Sequence, residues 1–212
     1  MRHGSTLRFL ALCGLALAVH PARAQDGGGW ALPDESRGAR VAPILLLSRP
    51  EVRADLRLRP DQAADVDRVI ADIFRKAAQV KGRTDAAAVE LRRAVDDEQR
   101  LWLETKLTED QVGRLGEIDL RWEGIAAITR PALAETLSLS DDQRARLARA
   151  VADRKAQRAL PPERRRDPAA AERHFAQQAE AILNDGQRRK WERMLGRPVA
   201  AATAAAPGHA TR

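Results

Sequence analysis

Apolar positions recur at helical spacing along most of the chain. Val66, Val69, Ile70, Ile73, Phe74, Ala77 and Val80 step by three and four residues, which puts them on one face of a helix from about Pro60 to Lys81. Gly82 is a natural stop after it. Thr84 can cap a second helix reaching about Lys106, with Leu91, Val95 and Trp102 on its apolar side. A third pattern runs from about Glu109 to Ile128 through Val112, Leu115, Ile118, Trp122 and Ile125. A fourth helix starts after Ser140, carries Leu147, Ala150 and Val151, and is broken by Pro161-Pro162. Asp167-Pro168 opens a fifth, with Phe175, Ala179 and Ile182 facing inward. A short last helix carries Trp191, Met194 and Leu195 and stops at Gly196. Period-two alternation and hairpin turns between apolar runs are missing. The expected fold class is all-α: two related helical hairpin units with disordered termini.

The first residues follow a different logic. A basic start with Arg2, His3 and Arg8 precedes an apolar run from Phe9 to Val19, and Ala22-Arg23-Ala24 matches a cleavage site. These are the three regions of a secretory signal peptide, with an apolar run too short for a stable span. Residues 1–24 are therefore expected to be a leader, and the mature protein to be periplasmic or secreted. Removing Arg2, Arg8 and Arg23 takes three basic residues and no acid, so the formal net charge of +7 becomes +4. The single Cys leaves with the leader, so the fold must stand on packing without disulfides. Residues 25–42, with Asp26-Gly-Gly-Gly29, are expected to be flexible, and 200–212 to be a disordered Ala-rich tail.

The core of the chain repeats. Residues 47–62 and 128–143 align without a gap at an offset of 81, with Arg49/Arg130, Pro50/Pro131, Leu56/Leu137, Leu58/Leu139, Asp61/Asp142 and Gln62/Gln143 identical. Each half then reaches a related element, Leu107-Thr108-Glu109-Asp110-Gln111 and Leu183-Asn184-Asp185-Gly186-Gln187. The units are placed at 43–127 and 128–199. The repeated residues have a local reason. Thr108 can accept from the backbone N–H of Gln111 while the Gln side chain reaches back to the N–H of Thr108, which is a capping box. Ser140 with Gln143 and Asn184 with Gln187 repeat the arrangement. Arg59 to Gln62 lacks the capping side chain, though Pro60 suits a first turn. Acids in these first turns suit the positive end of the helix dipole. Leu58, Leu107, Leu139 and Leu183 precede each cap where a staple residue packs. On this reading the motif starts helices and demands no ligand.

Four Leu-cap-x-x-Gln elements in an exported, cysteine-poor helical chain resemble the LTxxQ-motif (Spy/CpxP-like) family of small periplasmic proteins. Leu107-Thr108-x-x-Gln111 is a full match and Leu139-Ser140-x-x-Gln143 a close one. The resemblance spans roughly residues 43–199. The layout with Trp191-Glu-Arg-Met-Leu-Gly196 at its end is also similar to uncharacterised secreted proteins of planctomycete type. The family resemblance implies helical cradle-shaped dimers, a link to envelope stress and ATP-independent chaperone activity. Four copies in one chain could build a comparable surface within a single molecule.

Composition changes the picture little. Of 212 residues, 44% are hydrophobic, 32% charged and only 3% aromatic, which suits an aliphatic helical core of one or two small domains. Charge is uneven: residues 25–130 hold 18 basic and 20 acidic side chains, residues 131–212 hold 16 and 10. A basic second half could meet an acidic partner or an anionic surface, but a solvated Arg-rich helical surface is the preferred reading. After the leader only His174 and His209 remain, with no metal, nucleophile or phosphate-loop pattern. Asp96-Asp97-Glu98 point in different directions on a helix, and Arg164-Arg165-Arg166 has no interleaved aromatics. No catalytic residue, cofactor or metal is assigned. The expectation is a non-enzymatic exported binding protein whose partners are protein clients. The alternative is one specific envelope protein. Nucleic acid and a stable membrane span are not expected, and a homodimer is left open.

Overall fold

A computed structural model describes residues 30–161, 164 and 167–200. The expected leader at 1–24 and the tail from 201 onward lie outside the described residues. Nine α-helices and two 3-10 turns, with no strand, make up the described residues. They are α1 (Pro43–Leu46), α2 (Pro50–Asp55), α3 (Pro60–Gln79), α4 (Ala86–Lys106), α5 (Glu109–Glu123), α6 (Pro131–Thr136), α7 (Asp141–Ala159), α8 (Pro168–Ile182) and α9 (Asp185–Leu195). The 3-10 turns are Asp34–Ser36 and Gly124–Thr129. The all-α class therefore holds. Among the described residues no helix is long and apolar enough to cross a membrane.

The two aligned stretches fold alike locally. Pro50 and Pro131 start six-residue helices, α2 and α6. Both end in a left-handed residue, Arg57 at φ 51° and Ser138 at φ 53°. The next amides reach back five residues: Leu58 N–H donates to Arg53 O at 3.0 Å, and Leu139 N–H to Ala134 O at 2.9 Å. This is the Schellman closure, in which the following apolar residue folds under the helix it ends. A long helical hairpin follows in each case, α3 with α4 and α7 with α8, and then a shorter helix, α5 or α9.

Two buried clusters result. Ile44, Leu46, Leu47, Val66, Ile70, Leu107, Leu115, Ile118 and Trp122 belong to the first, and Ile125, Ile128, Leu137, Leu139, Leu147, Phe175, Leu183 and Trp191 to the second. The division falls at Gly124 and corrects the continuous third helix expected to Ile128. Gly124 adopts φ 67° and ψ −156°, which ends α5 at Glu123. The chain then turns so that Ile125, Ala126, Ala127 and Ile128 are all buried in the second cluster. A straight helix would bury only one stripe of that apolar run. A smaller correction concerns α4: Asp85, not Thr84, is its cap, accepting from Ala88 N–H at 3.1 Å.

Residues 30–42 are a packed strap, which corrects the flexible segment expected over 25–42; residues 25–29 lie outside the described residues. Leu32 is buried in the first cluster. The indole N–H of Trp122 donates to Ser36 O at 3.2 Å, and Gly38 N–H donates to Trp122 O at 2.8 Å. Gly38, at φ 76°, lies where a Cβ would strike the Arg154 guanidinium of α7. Arg154 donates to Gly38 O at 2.6 Å, grips Glu172 at 2.7 Å and stacks over Phe175. The strap thus ties the first unit to the second. A return tie comes from the C-terminal side. Arg121 donates to Gly196 O at 2.6 Å, Arg197 reaches Asp55 at 2.7 Å, and Val199 packs on the first cluster.

Candidate functional site

The motif glutamines meet in pairs. Gln62 and Gln111, 49 positions apart, exchange two hydrogen bonds: Gln62 Nε2 to Gln111 Oε1 at 3.0 Å and Gln111 Nε2 to Gln62 Oε1 at 3.3 Å. Gln143 and Gln187, 44 positions apart, do the same at 2.8 and 3.0 Å. Each glutamine also closes its own helix start. Gln62 Oε1 accepts from Arg59 N–H at 2.9 Å and Gln111 Oε1 from Thr108 N–H at 2.9 Å. Gln143 Oε1 accepts from Ser140 N–H at 3.0 Å and Gln187 Oε1 from Asn184 N–H at 2.9 Å. Thr108, Ser140 and Asn184 return the bond to the third residue, as a capping box requires.

The remaining amide hydrogens tie down chain ends. Gln62 donates to Lys106 O at 2.7 Å and Gln111 to Leu56 O at 3.2 Å. Gln143 donates to Ile182 O at 2.9 Å and Gln187 to Leu137 O at 3.3 Å. In each clasp both donors of each amide are used and each amide oxygen accepts twice. A primary amide has two N–H donors and two acceptor lone pairs. Nothing is left over to hold a ligand. The capping role read from sequence is therefore correct but partial: the same side chains bolt a helix pair together at its N-termini.

The staple leucines are placed as expected. Leu107, Leu139 and Leu183 are buried, and Leu58 packs half-buried on the first cluster. Thr108, Ser140 and Asn184 stay exposed at the surface. The structure does not bring the two clasps together. Leu107 belongs to the first buried cluster, Leu139 and Leu183 to the second, and each glutamine pair bonds within itself.

Beside the first clasp lies an open groove of about 460 Å³, lined by Asp65, Arg68, Val69, Trp102 and Lys106. The same Lys106 whose carbonyl Gln62 holds forms its edge. Trp102, assigned to the core from sequence, is half-buried here, and its neighbour Leu101 is 60% exposed. At the start of α5, Val112 is also exposed.

Two ionic clusters escaped the sequence reading. Asp119 and Glu123, one turn apart on α5, share the guanidinium of Arg130; Arg130 meets Asp119 at 3.1 Å and also pairs with Glu123. Both carboxylates are almost fully buried, and Asp119 Oδ1, Arg130 Nε and Arg121 Nε have no hydrogen-bond partner. Burial pushes both carboxyl groups above their ordinary values, only partly countered by Arg130 and Arg40. Asp55 is the opposite case. Hydrogen bonds from Arg114 at 2.8 and 3.1 Å, aided by the charge of Arg197, hold its carboxyl below the usual range. The Asp55–Arg114 pair has no local spacing signal, since its members lie 59 positions apart, whereas Arg130 lies 11 and 7 positions from Asp119 and Glu123, across the break at Gly124.

Of the acidic run, Asp97 and Glu98 pair with Arg100 and Lys76, and all three acids are exposed. His174 is exposed on α8. Arg164 is exposed, while Arg165 and Arg166 lie outside the described residues, as does His209. Among the described residues no group of three or more His, Cys, Asp or Glu side chains could hold a metal ion. No family model, curated protein or solved structure matches the chain.

Proposed function

We propose that this chain is an exported, non-catalytic helical binding protein of the LTxxQ type that holds partly unfolded polypeptides without ATP. The observation that supports this reading most is the open groove beside the first glutamine clasp. It mixes one aromatic and one aliphatic side chain with both signs of charge (Trp102, Val69, Arg68, Lys106, Asp65). Such a lining favours rapid electrostatic encounter with many sequences and modest apolar retention. Leu101 extends the apolar surface outward. The clasp keeps the groove's α3 and α4 walls in register, because Gln62 sits at the start of α3 and holds the end of α4. The leader at 1–24 would direct the chain across the inner membrane, where no cofactor is needed for this work.

The test is suppression of light scattering from an unfolding model client, without ATP, against an inert protein control. The expected result is suppression at near-stoichiometric ratios, falling at least threefold for Leu101→Glu. Leu101 is exposed, so that change leaves the fold intact. No suppression over a range of salt and clients refutes the reading and turns the search to one specific envelope partner by crosslinking.

A further inference from the structure

Residues 30–34 contact the body of the protein as a bound peptide would. They carry no helix until the 3-10 turn that starts at Asp34, and Pro33 is extended at φ −72° and ψ 147°. No backbone ladder holds them. Side chains of the first unit read the backbone instead. Ser48 Oγ accepts from Leu32 N–H at 2.8 Å, and Arg49 Nη1 donates to Leu32 O at 2.7 Å. Three side chains are read as well. The Leu32 side chain enters the buried cluster of Ile44, Leu47 and Ile73. The Trp30 ring stands edge-on to Phe74 at 4.6 Å and is still 37% exposed. Asp34 pairs with Arg49 at 3.0 Å.

The second unit is an internal control. Thr129 Oγ1 donates to Ala126 O at 2.8 Å, just as Ser48 Oγ donates to Leu45 O at 2.6 Å. Arg130 occupies the place of Arg49, but it turns to Asp119 and Glu123 of α5. Among the described residues no extended segment reaches Thr129 or Arg130. At this position the second unit closes with no extended segment bound to its Thr and Arg, although Gly38 of the strap meets that unit elsewhere, at Arg154.

We infer that Ser48, Arg49, Phe74 and the leucine pocket of α1 form a binding site for an extended peptide of the pattern aromatic-x-Leu-x-acidic, filled in cis by Trp30, Leu32 and Asp34. Chains carrying that pattern compete with the strap for the site. This gives the proposed binding function a sequence preference and a built-in competitor, and so rests on that reading for its biological use. The chemistry of recognition is explicit. One apolar pocket sets the leucine, an aromatic edge sets the residue two before it, and a guanidinium sets the acid two after it.

The probe is a fluorescein-labelled synthetic peptide copying residues 29–38, added to the full chain and followed by anisotropy. The expected result is weak binding to the unsubstituted protein and at least fivefold tighter binding to Trp30→Ala, which loosens only the exposed end of the strap. Trp30→Ala/Leu32→Ala should gain at least tenfold. Should that double variant prove unfolded by circular dichroism, Trp30→Ala alone decides. Adding Arg49→Met to Trp30→Ala should return the affinity to the unsubstituted level. Saturating peptide should also speed hydrogen exchange at the Leu32 amide. Equal affinity for the unsubstituted and Trp30→Ala proteins, or unchanged exchange at Leu32, overturns the inference. Client suppression without peptide binding would remove this site and leave the proposed function standing. Peptide binding without client suppression would do the reverse.

Discussion

Replacing Gln62 by Ala probes the clasp where it is most buried, at 2% exposure. The substitution deletes the acceptor for Arg59 N–H, the donor to Lys106 O and both bonds to Gln111. A typical intramolecular hydrogen bond contributes about 1 kcal/mol net, and an abandoned buried polar group costs roughly 1–3 kcal/mol. Water can reach the Arg59 end of the helix, so that loss is small. The Lys106 carbonyl and one side of the Gln111 amide are the groups left without partners. The expected cost is about 3 kcal/mol, well above the ~1 kcal/mol of an ordinary lost cap at Thr108→Ala. Chemical denaturation of the mature protein reads both. The decisive measurement is the double-mutant cycle. Gln62→Ala and Gln111→Ala remove the same pair of bonds, so together they should cost at least 1 kcal/mol less than their sum. Gln62→Ala and Gln143→Ala share no partner and should add to within about 0.5 kcal/mol. A cost below 1 kcal/mol for Gln62→Ala, or strict additivity with Gln111→Ala, would refute the clasp as a cooperative unit.

Arg130→Met should destabilise by roughly 3–5 kcal/mol in the same assay, because it leaves Asp119 and Glu123 buried without a counter-charge. Asp119→Asn should cost far less, since Arg130 keeps Glu123. The same pair predicts a pH dependence. Burial raises both carboxyl groups above their ordinary 3.8 and 4.5, so the folded state takes up protons before the unfolded state does. Stability should therefore rise as pH falls through the raised folded values towards the ordinary ones, and the double variant Asp119→Asn/Glu123→Gln should flatten that rise in melts at stepped pH. Asp55 and Asp34 are held low by their arginines, so the stability they contribute is lost only as pH falls below 3.8. Finally, Gly124→Ala should lower stability by about 1–3 kcal/mol through backbone strain alone, since open space surrounds its missing Cβ. Gly196→Ala should cost a similar amount in thermal melts, because φ 59° strains an alanine while the Glu117 carboxylate its Cβ would meet is a flexible side-chain end that can swing aside.

What could be read from the amino-acid order was what neighbouring residues decide. The helix from Pro60, the caps at Thr108, Ser140 and Asn184, and the buried stripe of Val66, Ile70 and Ile73 depend on residues within one or two turns of each other. The stretches aligned at an offset of 81 share one local feature the alignment did not foretell, the left-handed residues Arg57 and Ser138. What only the tertiary structure decided needed distant segments to meet. A Leu-cap-x-x-Gln element shows that its glutamine caps a helix, but not that Gln62 faces Gln111 rather than Gln143. That choice comes from the packing of α3, α4 and α5. The strap looked flexible because Leu32 stands in a short Gly- and Pro-flanked stretch without periodicity, and its burial comes from Ser48, Arg49 and a pocket already built by α1 and α3. The run through Ile125 read as more helix because its spacing continues that of α5. The break at Gly124 follows from two cores drawing Trp122 and Ile125 in different directions, a competition that local periodicity does not contain. The Asp55–Arg114 pair, 59 positions apart, is invisible in sequence for the same reason, and the burial that raises Asp119 follows only from the fold: the free energy of a charge depends on which groups surround it after folding.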